Sequence, residues 1–460
     1  MTKKLPPLYH PIIMNYKEIY SKQELENFEI VTDWTKFAKD NIEKDVFGRN
    51  KSVFIERKIF ELDVDLSFNG DYAGEFVFIN CYFKKGFYFK GAKFSGAFSL
   101  ASSYVNGTIY TEGVTTFDRG FLIFDSTVDG ILLTKGQFGS CTWSLKKIGR
   151  LTIAGGIFDN LDINLKGELG QLNIEARKIT GDIFIDGGGK LIEDVNISGI
   201  ARGMSLFMYN IEIGQLAIKL FVNENRFKLS NIKPQNGKGN VLLSHSQLGK
   251  AELSSINFKK FNVVIIDEVN LVDCTFNNVL WSNNVFGSSA HLSHLGVKDV
   301  DDVFNLRSRE TFRQLKYAMS KQGDIINEQK FHSLEMGMYY KTLSWKKDFW
   351  TKMVILLSHL TSDFGQSLWR PLLFIFLFHT VLFLLLLFSN IFQGFEFSVK
   401  EFSSSAFGEG FNYYLYLINP IRPFDKDLFH GGWIAIDILM RISASYMIYN
   451  IVRATRRFIR

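Results

Sequence analysis

The chain has 460 residues, 46% hydrophobic and 22% charged, with a formal net charge of +6, 45 phenylalanines, 7 prolines and 3 cysteines. At about 150 residues per domain this is two or three domains. The widely spaced Cys81, Cys141 and Cys274 exclude a small disulfide-stapled module or a zinc knuckle, and the phenylalanine content excludes a disordered chain.

The N-terminal segment, residues 1–51, opens Met1-Thr-Lys-Lys without an apolar run behind it, so it lacks a signal-peptide core and the bulk of the chain is expected in the cytoplasm. From Pro11 to Pro234 there is no proline. Such a stretch suits a continuous hydrogen-bonded ladder, where each missing N–H would break a rung.

Residues 52–287 read as repeated short strands. Pieces of about 11 residues start at or near Gly74, Gly86, Gly96, Gly107, Gly120 and Gly130, with apolar residues alternating inside them, as in Phe76/Phe78, Phe87/Phe89, Leu151/Ile153 and Ile183/Ile185. The arrangement predicts a β-solenoid of about ten coils, roughly 21 residues each, stacked at ~4.8 Å. A pair of β-sandwiches is the alternative. The three cysteines are expected inside this fold as small apolar side chains. Gly187-Gly188-Gly189 lacks the strand–loop–helix setting of a phosphate cradle and reads as a corner.

Residues 288–344 lose the strand texture. Phe312, Leu315 and Met319 mark one helical stripe and Phe331, Leu334 and Met338 another, with a break at Gln322-Gly323-Asp324. Residues 345–361 form an amphipathic piece expected at a membrane interface, Phe349, Met353, Leu356 and Leu360 on one side and Lys346, Lys347 and Lys352 on the other.

The membrane module is expected over 369–460. Residues 371–388 carry no charge and the apolar run extends to Phe392, long enough for a ~30 Å hydrocarbon core. A second span, 433–452, carries Asp437 and Arg441, four residues apart and therefore on one helical face, with Ala444, Ser445 and Ile448 below. A structural salt bridge and a polar pathway both fit that face. His379 in the first span is either a packing residue or part of a gate. Lys346, Lys347, Lys352 and Arg370 before the first span, and Arg453, Arg456, Arg457 and Arg460 after the second, place both outer flanks and both termini in the cytoplasm. Between the spans, residues 406–418, rich in Phe, Tyr and Leu and including Tyr416, fit a short re-entrant helix ending at Asn419-Pro420. An aromatic interfacial loop is the alternative. Two spans enclose nothing alone, so a pore requires a homo-oligomer, a tetramer by analogy.

The solenoid modules Phe87-Tyr-Phe-Lys-Gly-Ala-Lys-Phe and Asn257-Phe-Lys-Lys-Phe resemble degenerate pentapeptide-repeat and related right-handed solenoids. The stretches Glu310-Thr-Phe-Arg-Gln-Leu-Lys-Tyr-Ala-Met and Lys330-Phe-His-Ser-Leu-Glu-Met, the Asn419-Pro420 loop and the ending Tyr446-Met-Ile-Tyr449-Asn-Ile-Val-Arg-Ala454-Thr-Arg456-Arg457 resemble bacterial membrane-anchored pentapeptide-repeat-like proteins. The resemblance covers residues 50–460. Proteins of this layout occur as channel effectors of anti-phage systems, including the Hailong type. The resemblance therefore implies a multi-pass inner-membrane protein whose channel is gated by an oligonucleotide or nucleotide made by a partner nucleotidyltransferase, with membrane depolarisation as output.

Two basic clusters are candidate contacts for such an anion: Lys84, Lys85, Phe87, Tyr88, Lys90 and Lys93, and Arg307, Arg309, Arg313 and Lys316. A solvated basic face or lipid headgroups explain them as well. No catalytic constellation stands out and no cofactor is expected. His291 and His294 near Asp299, Asp301 and Asp302 read as a polar turn rather than a metal site. The alternative to a channel is a membrane-anchored scaffold whose solenoid binds proteins.

Overall fold

A computed structural model describes Ile19 and residues 26–42, 51–67, 71–282, 300–388, 404–424 and 431–459. The chain divides into two compact units, Met1–Lys298 and Asp299–Arg460.

The first unit is a parallel β-solenoid of about 10 turns. One interior column runs through Ile55, Phe78, Leu100, Ile123, Trp143, Ile163, Ile185, Met208, Leu229, Leu253 and Phe276, each paired in parallel with the next. Steps range from 20 residues, Ile123 to Trp143, to 24, Leu229 to Leu253. In the early coils the 11-residue module resolves into two sides. The strands Phe76–Ile79, Tyr82–Phe83, Phe87–Lys90 and Lys93–Phe94 complete one circuit before Phe98 starts the next. From Phe121 onward single strands are longer, up to Gly203–Asn223.

Two sequence features explain the coil. The alternating apolar residues point inward, and phenylalanines recur in register, so that Phe94, Phe117, Phe138 and Phe158 stack at centroid spacings of 5.1, 5.6 and 4.9 Å. A corner column requires positive φ and is filled by Arg57, Asn80, Ser102, Asp125, Asn210, Asn231, Ser255 and Asn278, all but the first the short polar residues that tolerate it best. Asn231 Nδ2 donates to Asn210 Oδ1 at 2.8 Å, and Asn210 Nδ2 to Asp186 Oδ1 at 3.2 Å, extending the ladder into side chains. Gly188 and Gly189 also have positive φ, so Gly187-Gly188-Gly189 is the expected corner. At Gly86 a Cβ would sit 2.0 Å from the Thr108 carbonyl oxygen, so close stacking of coils demands glycine there.

Helix α1 (Trp34–Asn41) is capped by Asp33, which accepts from Lys36 N at 3.0 Å. It presses Trp34 and Phe37 on Phe60 and covers the core at the first coil. The cysteines are free and buried, and burial pushes each thiol up to about 12.

The second unit is helical. Helices α2 (Val300–Gln322) and α3 (Ile325–Thr342) form a hairpin broken at Gly323, as the sequence predicts, with Phe312 against Phe331. Helices α4 (Phe349–Ser362), α5 (Trp369–Phe388), α6 (Ser404–Ile418) and α7 (Ile434–Ile459) follow. Within α5 and α7, Trp369–Leu387 and Ile434–Thr455 are long and apolar enough to cross a membrane. The expected extension of the first span to Phe392 and the linker residues 393–403 and 425–430 lie outside the described residues.

Candidate functional site

Helices α5 and α7 reverse the polarity of water-soluble helices. On α5, His379 is fully buried while Leu373, Phe376, Leu377 and Val381 are exposed. On α7, Asp437 and Asn450 are buried while Ile438, Leu439, Ile442 and Tyr449 are exposed. Polar groups inside and aliphatic groups outside is the arrangement hydrocarbon selects, since an exposed polar side chain is what costs free energy there. Leu386 of α5, Leu417 of α6 and Met440 of α7 form the apolar centre that joins the three helices.

Asp437 sits at the polar centre. The expected pair with Arg441 is present, Arg441 Nε donating to Asp437 Oδ2 at 2.7 Å. A second cation, absent from the expected site, is Arg422: its Nη2 donates to Asp437 Oδ1. Arg422 is 3% exposed, and its Nη1 also donates to the carbonyl oxygens of Leu417 and Asn419, the latter at 3.2 Å. Those carbonyls belong to the end of α6, where the last backbone acceptors lack helical partners and the helix dipole favours a cation. Arg441 completes the enclosure by donating through Nη1 to Arg422 O at 2.7 Å and through Nη2 to Pro423 O at 3.2 Å. Both carboxylate oxygens are thus engaged, and the Asn419-Pro420 turn is bound to α7 by two arginines on one aspartate.

The rest of the expected pore set is distributed around this cluster. His379 Nε2 lies 3.0 Å from Ser443 Oγ, which itself donates to Met440 O at 2.9 Å. Ser443 has one proton to give, so the histidine donates through Nε2. Its Nδ1 is buried with no partner among the described residues. Ala444 is buried against the other helices, whereas Ser445 is exposed, so the predicted face turns outward along its length. Asn419 and Tyr416 are exposed, and Asn419 Oδ1 accepts from Ile421 N at 3.0 Å. On α6, Tyr414 Oη donates to Phe376 O at 3.2 Å and meets Thr380 Oγ1 at 3.2 Å, which ties α6 to the middle of α5.

The lysines of the first basic cluster, and two of the four cations of the second, are paired with carboxylates. On the solenoid, Lys84 pairs with Glu61, Lys85 with Asp63, Lys90 with Glu112 and Lys93 with Asp71. Phe87 is fully buried in the core, and Tyr88 is exposed beside Tyr110. On the hairpin, Arg309 lies 3.9 Å from the Tyr339 ring centroid and Arg313 pairs with Glu310 at 2.8 Å. Lys316 donates to the buried Glu335 at 2.8 Å. Burial pushes the Glu335 carboxyl up, but its bonds to His332 and Lys316 outweigh that and hold it below the ordinary range. Arg307 is half-buried. His291, His294 and Asp299 lie outside the described residues.

No protein-family model, curated protein or solved structure matches this chain.

Proposed function

We propose that the chain is the protomer of an oligomeric, ligand-gated ion channel in a bacterial inner membrane. The right-handed solenoid and helical hairpin stand on the cytoplasmic side, and α5, re-entrant α6 and α7 form the membrane part. One observation carries this reading: α6, at 15 residues about 22 Å and too short for a ~30 Å core, is joined to the middle of α5 by Tyr414 and to α7 by the Arg422–Asp437 pair. A short helix wedged between two spans, with its terminal carbonyls met by buried arginine, suits a re-entrant element. Gating by a nucleotide or oligonucleotide, and a role in anti-phage defence, rest on the resemblance of the linker and tail motifs. An anion docking at the lysine cluster of the solenoid would have to displace Glu61, Asp63, Asp71 and Glu112.

A membrane-tethered scaffold is the second reading. It is favoured by the engagement of both Asp437 oxygens within one protomer, which leaves that carboxylate no free oxygen for a passing ion. Purified protein in planar bilayers separates the two. Discrete conductance steps, responsive to an added oligonucleotide, support the channel; a silent bilayer with protein shown to be inserted removes it and leaves the tether.

A further inference from the structure

Helix α4 shares the reversed polarity of the spans without their length. Lys352, Thr361 and Ser362 are buried, while Trp350 is 79%, Val354 65% and Leu360 60% exposed. Exposed Met353 and Leu357 complete an i, i+3, i+4, i+7 stripe from Trp350. Water does not favour an aliphatic face of that kind over buried lysine and hydroxyls. Its 14 residues reach only about 21 Å, short of the ~30 Å needed to cross. A helix that suits neither water nor a crossing suits the boundary between them.

We propose that α4 lies along the membrane surface as a binding site for anionic phospholipid, its Trp350–Leu357 stripe among the acyl chains and Lys346 and Lys347 on the headgroups. Three observations point to this occupant. First, Lys346 and Lys347 in the turn before α4 are exposed, and among the described residues no carboxylate pairs with them, unlike the lysines of the solenoid cluster. Unpaired cations beside an apolar stripe complement an anionic lipid surface. Second, the stripe is continuous with the membrane span. Arg370 at the start of α5 donates through Nη1 to His359 O at 3.0 Å and lies 3.7 Å from Asp363, which ties the end of α4 to the mouth of the span. Exposed Trp345 and Trp369 stand on either side of α4, as tryptophans do at an interface.

Third, the rotation of α4 is fixed from its buried side. Lys352, expected on the polar face, instead turns inward. Its Nζ donates to Leu343 O at 2.7 Å and lies 4.6 Å and 5.2 Å from the ring centroids of Tyr340 and Trp345. That cage takes the one lysine of the helix out of solution and leaves the outer face wholly apolar along the stripe.

The inference rests on α5 and α7 crossing a bilayer, not on a pore. The test uses the full chain in nanodiscs with a nitroxide on Val354→Cys or, independently, Leu357→Cys. The native cysteines are buried and stay unlabelled under native conditions. Leu377→Cys in α5 is the control for the span, and the exposed Lys219→Cys in the solenoid the control for water. Labels at 354 and 357 are expected to be quenched more by oxygen than by an aqueous nickel chelate, at a shallower depth than 377. Equal chelate access at 354, 357 and 219, with 377 still deep, overturns the α4 assignment and leaves the span standing; chelate access at 377 overturns the membrane reading itself. Replacing phosphatidylcholine with a phosphatidylglycerol mixture should deepen the labels in the parent, and Lys346→Glu/Lys347→Glu should abolish that change. Labels that ignore lipid charge in the parent overturn the anionic-lipid part.

Discussion

Arg422 and Asp437 form an ion pair in which both side chains are almost wholly enclosed, 1% and 2% exposed, fifteen residues apart and joining the turn after α6 to α7. Breaking a buried pair leaves the partner charge uncompensated, which typically costs about 3–5 kcal/mol, whereas replacing both by apolar residues is often close to neutral. Asp437→Ala should therefore strip two arginines of the carboxylate they share among the described residues and lower the melting temperature of the detergent-solubilised protein strongly. The double variant Arg422→Met/Asp437→Leu should recover part of the loss. Melting followed by size-exclusion chromatography reads both, and a double variant that loses as much as the two single variants Arg422→Met and Asp437→Leu summed would refute the coupling.

His379 is predicted to be a packing donor that joins α5 to α7. His379→Gln can keep the bond to Ser443 and should be mild, whereas His379→Leu removes that bond, leaving Ser443 the one to Met440 O, and should cost about 0.5–1.5 kcal/mol. Ser443→Ala and His379→Leu together should cost less than the sum of the two singles, because both remove the His379–Ser443 bond, while Ser443→Ala also gives up the bond to Met440 O. Additive losses in thermal melts would show that the bond does not join α5 to α7 as described.

Much of this was legible from residue patterns. The ten-coil solenoid followed from glycine corners and alternating phenylalanines, and Asp437 with Arg441 from a four-residue spacing. Arg422 was not legible, because its role comes from a turn that returns the chain to α7, and no local period records that. The one available signal was position: an arginine two residues after Asn-Pro, just past a helix end, is placed to meet orphan carbonyls. Lys352 was misplaced for a related reason. Helical spacing shows which residues share a face, but not that Tyr340 and Trp345 would offer that face a cage.

Gly86→Ala tests coil stacking. The added Cβ would lie 2.0 Å from the Thr108 carbonyl oxygen, a backbone atom that can move only by opening the space between coils. Loss of solenoid stability is expected, whereas Gly91→Ala, with open space but a positive φ of 66°, should show a smaller, purely backbone effect. Chemical denaturation of the two variants, compared side by side, checks the order.

The thiols give a pH prediction with a definite sign. Burial raises Cys81, Cys141 and Cys274 from 9.0 to about 12, so the folded state keeps their protons where the unfolded chain loses them. Their contribution is fully present below pH 9 and is lost progressively as pH rises through about 12. Unfolding by denaturant should become easier from pH 9 upward, and Cys81→Ala/Cys141→Ala/Cys274→Ala should flatten that slope whatever it does to stability at pH 7. In the same range a maleimide should label the native thiols only through opening of the coils, so that labelling rises with denaturant rather than with thiolate fraction. Rapid labelling of native protein at pH 8 would show that the three side chains are not enclosed by the coils.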